Sequence, residues 1–464
     1  MIWSTDMKRK IYWKDLLQSF TGSKGRFLSI LTLMMLGSLA LVGLKVASPN
    51  MERTAWTFLK NTNAADTIVI ADYGLDQADQ TELQTLSGAD VEFGYMTDLT
   101  LANSEDAIRI FSNTEKISKF QVTEGRLPEK EDELALADFW KDRYQIGQVI
   151  HLSQKNASNS QLKRESYTIT GFIHSPDIFS KTDMGSSASG NGNLAAYGVV
   201  TKDNFKSSVY TIARLRFNSL TDVNPFSVDY EKKLEEEEAT LKELVADNGQ
   251  ARLEKMKKDA QKSLDEGKKQ LDEAESNLLA GKKRLQETET QLQGQEVQLS
   301  QLPEPQKSQA SSQLEEAKEQ LKQEKEKISQ ADTDLTKEKA KWQTSQDEVN
   351  ALTEPTYHVY NRKSSPTGQG YLMYSNSAMS IRAVGNIFPV VLYAVAAMVT
   401  FTTMTRFVDE ERTNAGIFKA LGYHSKDIIA KFVIYGLVAG TLGTLLGILI
   451  GHYVLAPTIS HIIT

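Results

Sequence analysis

Two long apolar runs bracket a charged stretch near the C-terminus, and this arrangement leaves few folds open. Residues 406–431 read RFVDEERTNAGIFKALGYHSKDIIAK. The uncharged run Ala383–Thr405 precedes them, and Phe432–Gly451 follows, with apolar character continuing to Ala456. A third run, Phe27–Leu44, is uncharged between Arg26 and Lys45. Each approaches the ~20 residues that cross a ~30 Å hydrocarbon core as a helix. Three membrane helices are the economical reading, at 27–46, 383–405 and 432–456. The polar stretch between the last two must then leave the membrane and return to it. A mean hydropathy of −0.38 hides this, because polar and apolar residues are segregated into blocks.

The first run also admits a reading as a cleaved secretory signal. Its basic region is long, its apolar stretch exceeds a usual signal core, and Lys45-Val46-Ala47-Ser48-Pro49 is a poor cleavage site, so an uncleaved helix is preferred. Basic residues set the orientation. Lys8, Arg9, Lys10, Lys14, Lys24 and Arg26 precede the first span, and five more lie in 406–431. The positive-inside rule makes both segments, 1–26 and 406–431, cytoplasmic. Residues from about 46 to 382, and the tail 457–464, are then extracellular. The absence of cysteine excludes disulfide staples and thiolate metal sites. The net charge of −7, mostly from the external part, argues against nucleic acid, which needs a concentrated basic face.

The external region changes composition near Asn224-Pro225. Residues 50–225 read as an α+β domain, long enough to enclose one core. Thr67–Ala71, Tyr167–Phe172 and Ala195–Val200 read as strands, and Asp79–Leu86 and Asp138–Tyr144 as helices. Ser186–Asn193 (SSASGNGN) reads as a flexible loop rather than a phosphate cradle, since its glycines open no helix.

Residues 227–353 turn to Glu, Lys, Gln, Leu and Ala. Leu264, Leu271, Leu278, Leu285, Leu292 and Leu299 recur every seven residues, and Leu314, Leu321, Ile328, Leu335, Trp342 and Val349 repeat the interval. Small residues fall between them, among them Ala260, Gly267, Ala274, Gly281, Ala310, Ala317 and Ala331. A sustained heptad with charged flanks marks a left-handed coiled coil. Pro303 and Pro305 interrupt the repeat, because proline lacks an amide hydrogen and clashes with the preceding turn. The repeat admits a parallel zipper between two chains. The even bisection favours an antiparallel hairpin with its tip near 303–305 and arms roughly 70–75 Å long. Residues 354–382 read as a strand and linker returning to the membrane.

Within the polar loop, glycine permits close approaches that other residues resist. Gly416 and Gly422 read as brackets around a short helix, Ile417–Leu421, whose Ile417, Phe418 and Leu421 can seat in a partner's groove. Arg412 and Lys419 can pair with acidic groups there, or with Glu410 and Glu411 nearby. Arg406 and Lys431, at the membrane edges, read as topology-fixing charges. Gly436, Gly440, Gly443, Gly447 and Gly451 form a stripe suited to close helix packing in the last span. Trp3, Tyr12, Trp13 and Phe20 suggest an amphipathic interfacial helix ahead of the first span.

With this layout the chain resembles the FtsX/MacB-type permeases of bacterial ABC transport systems, in particular the large Gram-positive members with an extracellular coiled coil. Three stretches carry the likeness. One is Glu411-Arg412 followed by Gly416-Ile417-Phe418-Lys419-Ala420-Leu421-Gly422 and the glycine-rich span. The second is Glu124-Gly125-Arg126-Leu127-Pro128 through Ile146-Gly147-Gln148 to Thr170-Gly171-Phe172, and the third is Gly25-Arg26-Phe27-Leu28. The resemblance implies a MacB-like external domain and a cytoplasmic ABC ATPase as partner. It implies that Glu411, Arg412, Gly416, Phe418, Lys419, Ala420, Leu421 and Gly422 couple to that ATPase, which docks on this loop and on the N-terminal helix. It also implies a second permease copy, or a separate chain supplying further spans, and an extracellular cell-wall partner. Such permeases carry a further span after the glycine-rich one, so this chain reads as truncated or completed elsewhere.

Nothing in the sequence points to catalysis. No G-x-x-x-x-G-K-[ST] occurs, His151, His174, His358, His424, His452 and His461 form no metal-ligand motif, and no Ser/His/Asp set declares itself. The expectation is a multi-pass membrane α+β protein without cofactor, metal or catalytic residue, working by transmitting force. The rival expectations are a membrane-anchored adhesion rod and a non-functional, truncated permease.

Overall fold

The computed structural model describes the backbone of residues 2–154, 162–300 and 306–463, and side chains throughout these except in 2–9, 306–310 and 460–463. In chain order it opens with α1 (Ile2–Gly22), α2 (Lys24–Asn61), β1 (Thr67–Ala71), α3 (Gln77–Gln84), β2 (Ala89–Gly94), β3 (Met96–Leu101), β4 (Ala107–Ser112), β5 (Gln121–Gly125) and β6 (Glu133–Ala137). There follow β7 (Val149–Ser153), β8 (Ser166–His174), β9 (Leu194–Val200), β10 (Ile212–Phe217), α4 (Val228–Leu244), α5 (Asn248–Leu299) and α6 (Gln306–Ala351). The chain ends with β11 (Tyr357–Asn361), α7 (Gln369–Glu410), α8 (Arg412–Ala420), α9 (Ser425–Ile450) and α10 (Ala456–Ile463). Two compact units result. Met1–Ile70, Gly74–Lys242 and His358–Thr464 form the first, and Ala71–Tyr73 with Glu243–Tyr357 the second.

Among the described residues, three helices of the first unit are long and apolar enough to cross a membrane: Lys24–Asn61, Gln369–Glu410 and Ser425–Ile459. The last continues from α9 into α10 through a π-helical turn, Gly451–Leu455. Helix α2 is the axis. Gly443 and Gly447 of α9 and Gly451 of the π-helical turn face Leu31, Met35 and Leu39 of α2, so these two helices run parallel. Gly385 of α7 meets Leu44 while Tyr393 covers Gly37, so α7 runs antiparallel to α2.

The helices outlast their apolar runs. Met51, Ala55 and Leu59 continue a buried i, i+4 stripe on α2, and each fully buried Met or Leu contributes about 1.5–3 kcal/mol. Facing them, Tyr374 and Ala378 extend α7 back to Gln369. The expected linker 354–382 is therefore corrected: it holds one strand, a turn, and nearly four turns of helix from Gln369. The expected tail 457–464 is likewise helical as far as Ile463.

The strands form two sheets. The smaller has the order β11-β1-β10-β2, with β10 antiparallel to both β1 and β2. In the larger, β5-β8-β6-β9-β4-β3-β7, a further β8–β7 pairing closes the ring into a six-stranded barrel with β5 outside it. Leu99, Ile108, Ile110, Leu134, Leu136, Ile150, Leu152, Tyr167 and Ile169 form one core cluster of this sheet. A second core, including Phe111, Phe120, Ile173, Tyr197 and Ile212, lies between the barrel and the smaller sheet.

The glycines of the barrel have a packing reason. A Cβ on Gly125 would lie 2.3 Å from the Thr170 carbonyl, and one on Gly171 would lie 2.5 Å from the Arg126 carbonyl. Arg126 then reaches Glu133 at 2.6 Å, and Glu133 also accepts the amides of Glu129 and Lys130. The Arg126 guanidinium, with these amides, holds the Glu133 carboxyl down at about 2, against the pull of burial.

Three local expectations need correction. The expected helix 79–86 starts earlier, at Gln77, because Asp76 caps it: its Oδ1 accepts the amides of Ala78 and Asp79. The expected helix 138–144 is a single 3₁₀ turn, Asp138–Trp140. Trp140 is buried in the barrel core, and Tyr144 stacks on it at 5.5 Å. The expected flexible loop 186–193 is closed by a Ser186–Asn193 bridge and by the buried Ser189 hydroxyl donating to the Asp98 carbonyl at 3.0 Å.

In the second unit α5 and α6 run side by side and antiparallel. Glu275, Lys282, Glu289 and Glu296 of α5 pair with Lys339, Asp332, Lys325 and Lys318 of α6, partner numbers falling as α5 ascends. Leu264, Leu292 and Leu314 are buried, and Leu271, Leu278, Leu285, Leu299, Leu321, Ile328, Leu335, Trp342 and Val349 are half-buried. Gly281 faces Ile328 and Gly267 faces Trp342, whose Nε1 donates to the Leu264 carbonyl at 2.9 Å. Ala274 and Ala331, expected between the arms, are exposed. The expected tip at 303–305 lies outside the described residues.

Candidate docking site at the polar loop

The polar stretch begins where α7 ends. Glu410 is ion-paired with Arg26 of α2, whose guanidinium also lies 5.1 Å from the centre of the Phe407 ring. Glu411 separates α7 from α8 and turns inward. Its carboxylate lies 3.1 Å from Lys431 Nζ and accepts from Asn414 Nδ2 at 3.1 Å. Burial raises the Glu411 pKa, but these two hydrogen bonds and the charges of Lys431 and Arg26 outweigh it and hold it below the usual carboxylate range.

Lys431 is the hub of this end of the bundle. Its side chain is 7 % exposed. Its Nζ also lies 2.7 Å from Asp15 Oδ2 of α1, close in distance though off the line of a hydrogen bond. One ammonium thus joins α1, the α7–α8 junction and α9. An isolated buried charge is costly, and the two carboxylates offset that cost here. Around it, the fully buried Tyr435 stacks on Phe20 at 5.0 Å, contacts Phe407 at 4.9 Å and donates to the Ser23 carbonyl at 2.9 Å. The reading of Lys431 as a topology-fixing surface charge is therefore corrected. A lysine at a membrane edge looks the same in sequence whether it faces water or two carboxylates from elsewhere in the chain.

Helix α8 is longer than expected and differently punctuated. It runs from Arg412 to Ala420, so Gly416 sits mid-helix instead of bracketing a start. Gly422 does end it, with φ +83°. The Tyr423 amide donates to the Phe418 carbonyl at 3.1 Å and the Gly422 amide to the Lys419 carbonyl at 3.1 Å. The Phe418 and Tyr423 rings meet edge to face at 5.0 Å. These bonds and this apolar contact are those of a Schellman cap, which recruits glycine for its left-handed position. The Phe418 ring is half-buried against Tyr423, so part of the surface expected to face a partner is used within the loop itself.

What remains on the outer side of α8 is an unusual surface. Ile417 is 54 % exposed and Leu421 is 56 % exposed. Lys419, Ala420 and Arg412 are exposed as well, and among the described residues neither Arg412 nor Lys419 makes an ion pair. The acids expected to serve them, Glu410 and Glu411, are taken by Arg26 and Lys431. A Cβ at Gly416 would meet nothing within 4 Å, so no neighbour in the chain requires glycine there. Mid-helix glycine costs about 1 kcal/mol relative to alanine.

The glycines of α9 divide by face. A Cβ on Gly443 would lie 2.4 Å from the Leu31 carbonyl, and one on Gly447 would lie 2.3 Å from that of Met35. Gly451 comes within 2.9 Å of the Leu39 carbonyl. Gly440 meets nothing within 4 Å, and Gly436 only the Met404 methyl at 4.0 Å. The uniform five-glycine stripe is thus corrected to three residues that seat α2 and two that look outward. Gly436 borders an open groove of about 800 Å³ between α7 and α9, lined also by Phe401, Met404, Val433 and Leu437.

Residues 386–463 match the family model "FtsX-like permease C-terminal", a span that holds most of α7 and all of α8, α9 and α10. Comparison with curated proteins finds no match.

Proposed function

We propose that this chain, a member of the FtsX-type permease family by its residues 386–463, is the permease subunit of a bacterial ABC system that passes force across a membrane. The family is one of non-enzymatic membrane components, and ATP hydrolysis belongs to a separate cytoplasmic subunit. That ATPase docks on the outer side of α8. The observation that carries this reading is the pairing of a stiff inner side with an unsatisfied outer side. Lys431 holds the start of the helix to the bundle and the Schellman cap fixes its end, while Gly416, Ile417, Lys419 and Leu421 are exposed. Exposed aliphatics beside unpaired cations suit an apolar groove rimmed by acids.

Force arriving at α8 passes into α7 and α9 and along them to the opposite end of the bundle. There α7 is tied to α2 by the Tyr374 hydroxyl donating to the Met51 carbonyl, and to the segment leading into α4 by the packing of Tyr371 against Phe226. In this account α5 and α6 form an extracellular coiled-coil rod that amplifies the movement, acting on a compound in the outer leaflet or on a cell-wall enzyme. The α7–α9 groove at Gly436 receives a second permease copy or a chain supplying further spans.

The test is copurification. From native membranes the chain should retain a P-loop ATPase, and Gly416→Trp, which the open surroundings of Gly416 tolerate, should lose it. Retention of the ATPase by G416W would contradict docking at α8. Absence of any ATPase from the wild-type chain would favour a membrane-anchored adhesion rod.

A further inference from the structure

Helix α1 ends at Gly22 and α2 begins at Lys24, so α1 lies within one residue of a membrane-crossing helix. Its inner side is accounted for: Leu16 is buried, Phe20 stacks on Tyr435, and Asp15 faces Lys431. Its outer side is not. At the helical repeat Lys10, Trp13, Lys14 and Leu17 share one face. Trp13 is 49 % exposed and Leu17 is 64 % exposed. Lys10 and Lys14 are exposed, and neither makes an ion pair among the described residues.

We propose that this face binds an anionic bilayer surface and that the Asp15–Lys431–Glu411 bridge makes the setting of α8 depend on that contact. Charge complementarity at a fixed depth selects this occupant. Trp13 and Leu17 supply the apolar anchors of an interfacial helix, and the two lysines are placed to meet lipid phosphates beside them. Asp15, which would repel such a surface, is turned away and held by Lys431. Since Lys431 also holds Glu411 at the N-terminus of α8, a shift of α1 on the bilayer is carried to the loop through one ammonium. The inference rests on membrane location alone and stands or falls separately from ATPase docking.

The chain has no cysteine, so single introduced thiols report cleanly. The full chain carrying L17C or L421C is spin-labelled in vesicles of phosphatidylcholine, with and without phosphatidylglycerol. With phosphatidylglycerol the label at position 17 should become accessible to oxygen and shielded from an aqueous nickel chelate. K10Q/K14Q should weaken that partition roughly tenfold or more. The label at position 421 should lose mobility in the same vesicles, and D15N should abolish this response while leaving position 17 in the lipid. If D15N does not fold, K431Q serves for the same comparison. A label at position 17 open to nickel in the anionic vesicles would overturn the proposal. So would a position 421 indifferent to lipid charge, or protection of position 17 that arises only when an ATPase is added.

Discussion

Arg362 and Asp66 lie 296 residues apart in the chain, yet Nη2 of one donates to Oδ1 of the other at 2.8 Å. The same Oδ1 accepts from the Tyr230 hydroxyl at 2.7 Å, and Oδ2 accepts the Phe217 amide at 3.0 Å. With side chains 14 % and 5 % exposed, the pair binds together the segment that follows α2, the start of α4 and the approach to α7. In the mechanism proposed above, movement of the helices enters the sheet body here.

Removing the cation would strand a buried carboxylate, and breaking a buried pair on one side costs about 3–5 kcal/mol. Arg362→Met should therefore destabilise the chain by about 3 kcal/mol in thermal unfolding of the detergent-solubilised protein. Tyr230→Phe removes one bond to a charged group and should cost less, about 1.5–3 kcal/mol. Equal and negligible shifts would mean the network carries no load.

The two classes of glycine on α9 give a paired prediction. Gly443→Ala and Gly447→Ala drive a methyl to within 2.4 Å and 2.3 Å of carbonyls on α2, so both should lower stability and loosen the bundle. Gly440→Ala meets nothing and should be neutral or stabilising by up to about 1 kcal/mol, the helix-propensity gain. Thermal melts of the three variants in one detergent decide the matter.

The extent to which this could be read in the sequence follows from the range of the forces involved. Hydropathy and the heptad are local and periodic, so the apolar runs fall within α2, α7 and α9, and the seven-residue stripe falls on the facing sides of α5 and α6. Thr67–Ala71 is a strand at the bounds its β-branched pattern suggests. The remainder depends on partners far away in the chain. Lys431 acquires its meaning from Asp15, Arg362 from Asp66, and Gly443 from Leu31. The Schellman cap is the exception: a glycine followed by tyrosine, with phenylalanine five residues before that tyrosine, is a local signature.

Glu133 makes the barrel sensitive to acid. Its folded-state pKa of about 2 lies below the ordinary 4.5 because Arg126 and two amides bind the ionised form. A group depressed on folding contributes stability that is complete above its unfolded value and is lost as pH falls through the folded one. The contribution should therefore fade between about 4.5 and about 2. Glu133→Gln should be less stable than wild type at neutral pH and converge with it near the lower limit, as followed by Trp140 fluorescence. A constant difference across that window would refute the assignment.

Along the α5–α6 pair the ion pairs are exposed, with side chains between 36 % and 64 % accessible, and contribute little individually. Raising salt should leave the helix pair intact. Trp342→Ala removes the ring over Gly267 and its bond to the Leu264 carbonyl, and should cost about 2 kcal/mol or more. Circular dichroism melts at low and high salt would separate the two contributions.

The account requires α8 and the α5–α6 pair to lie on opposite sides of the membrane, with α8 in the cytosol. The direct measurement is thiol labelling of L421C and L279C in intact cells with a membrane-impermeant maleimide, both positions being exposed and the background free of cysteine. The prediction is that L279C reacts at once and L421C reacts only after permeabilisation. Labelling of L421C in intact cells, or protection of L279C, would contradict force transmission from a cytosolic motor.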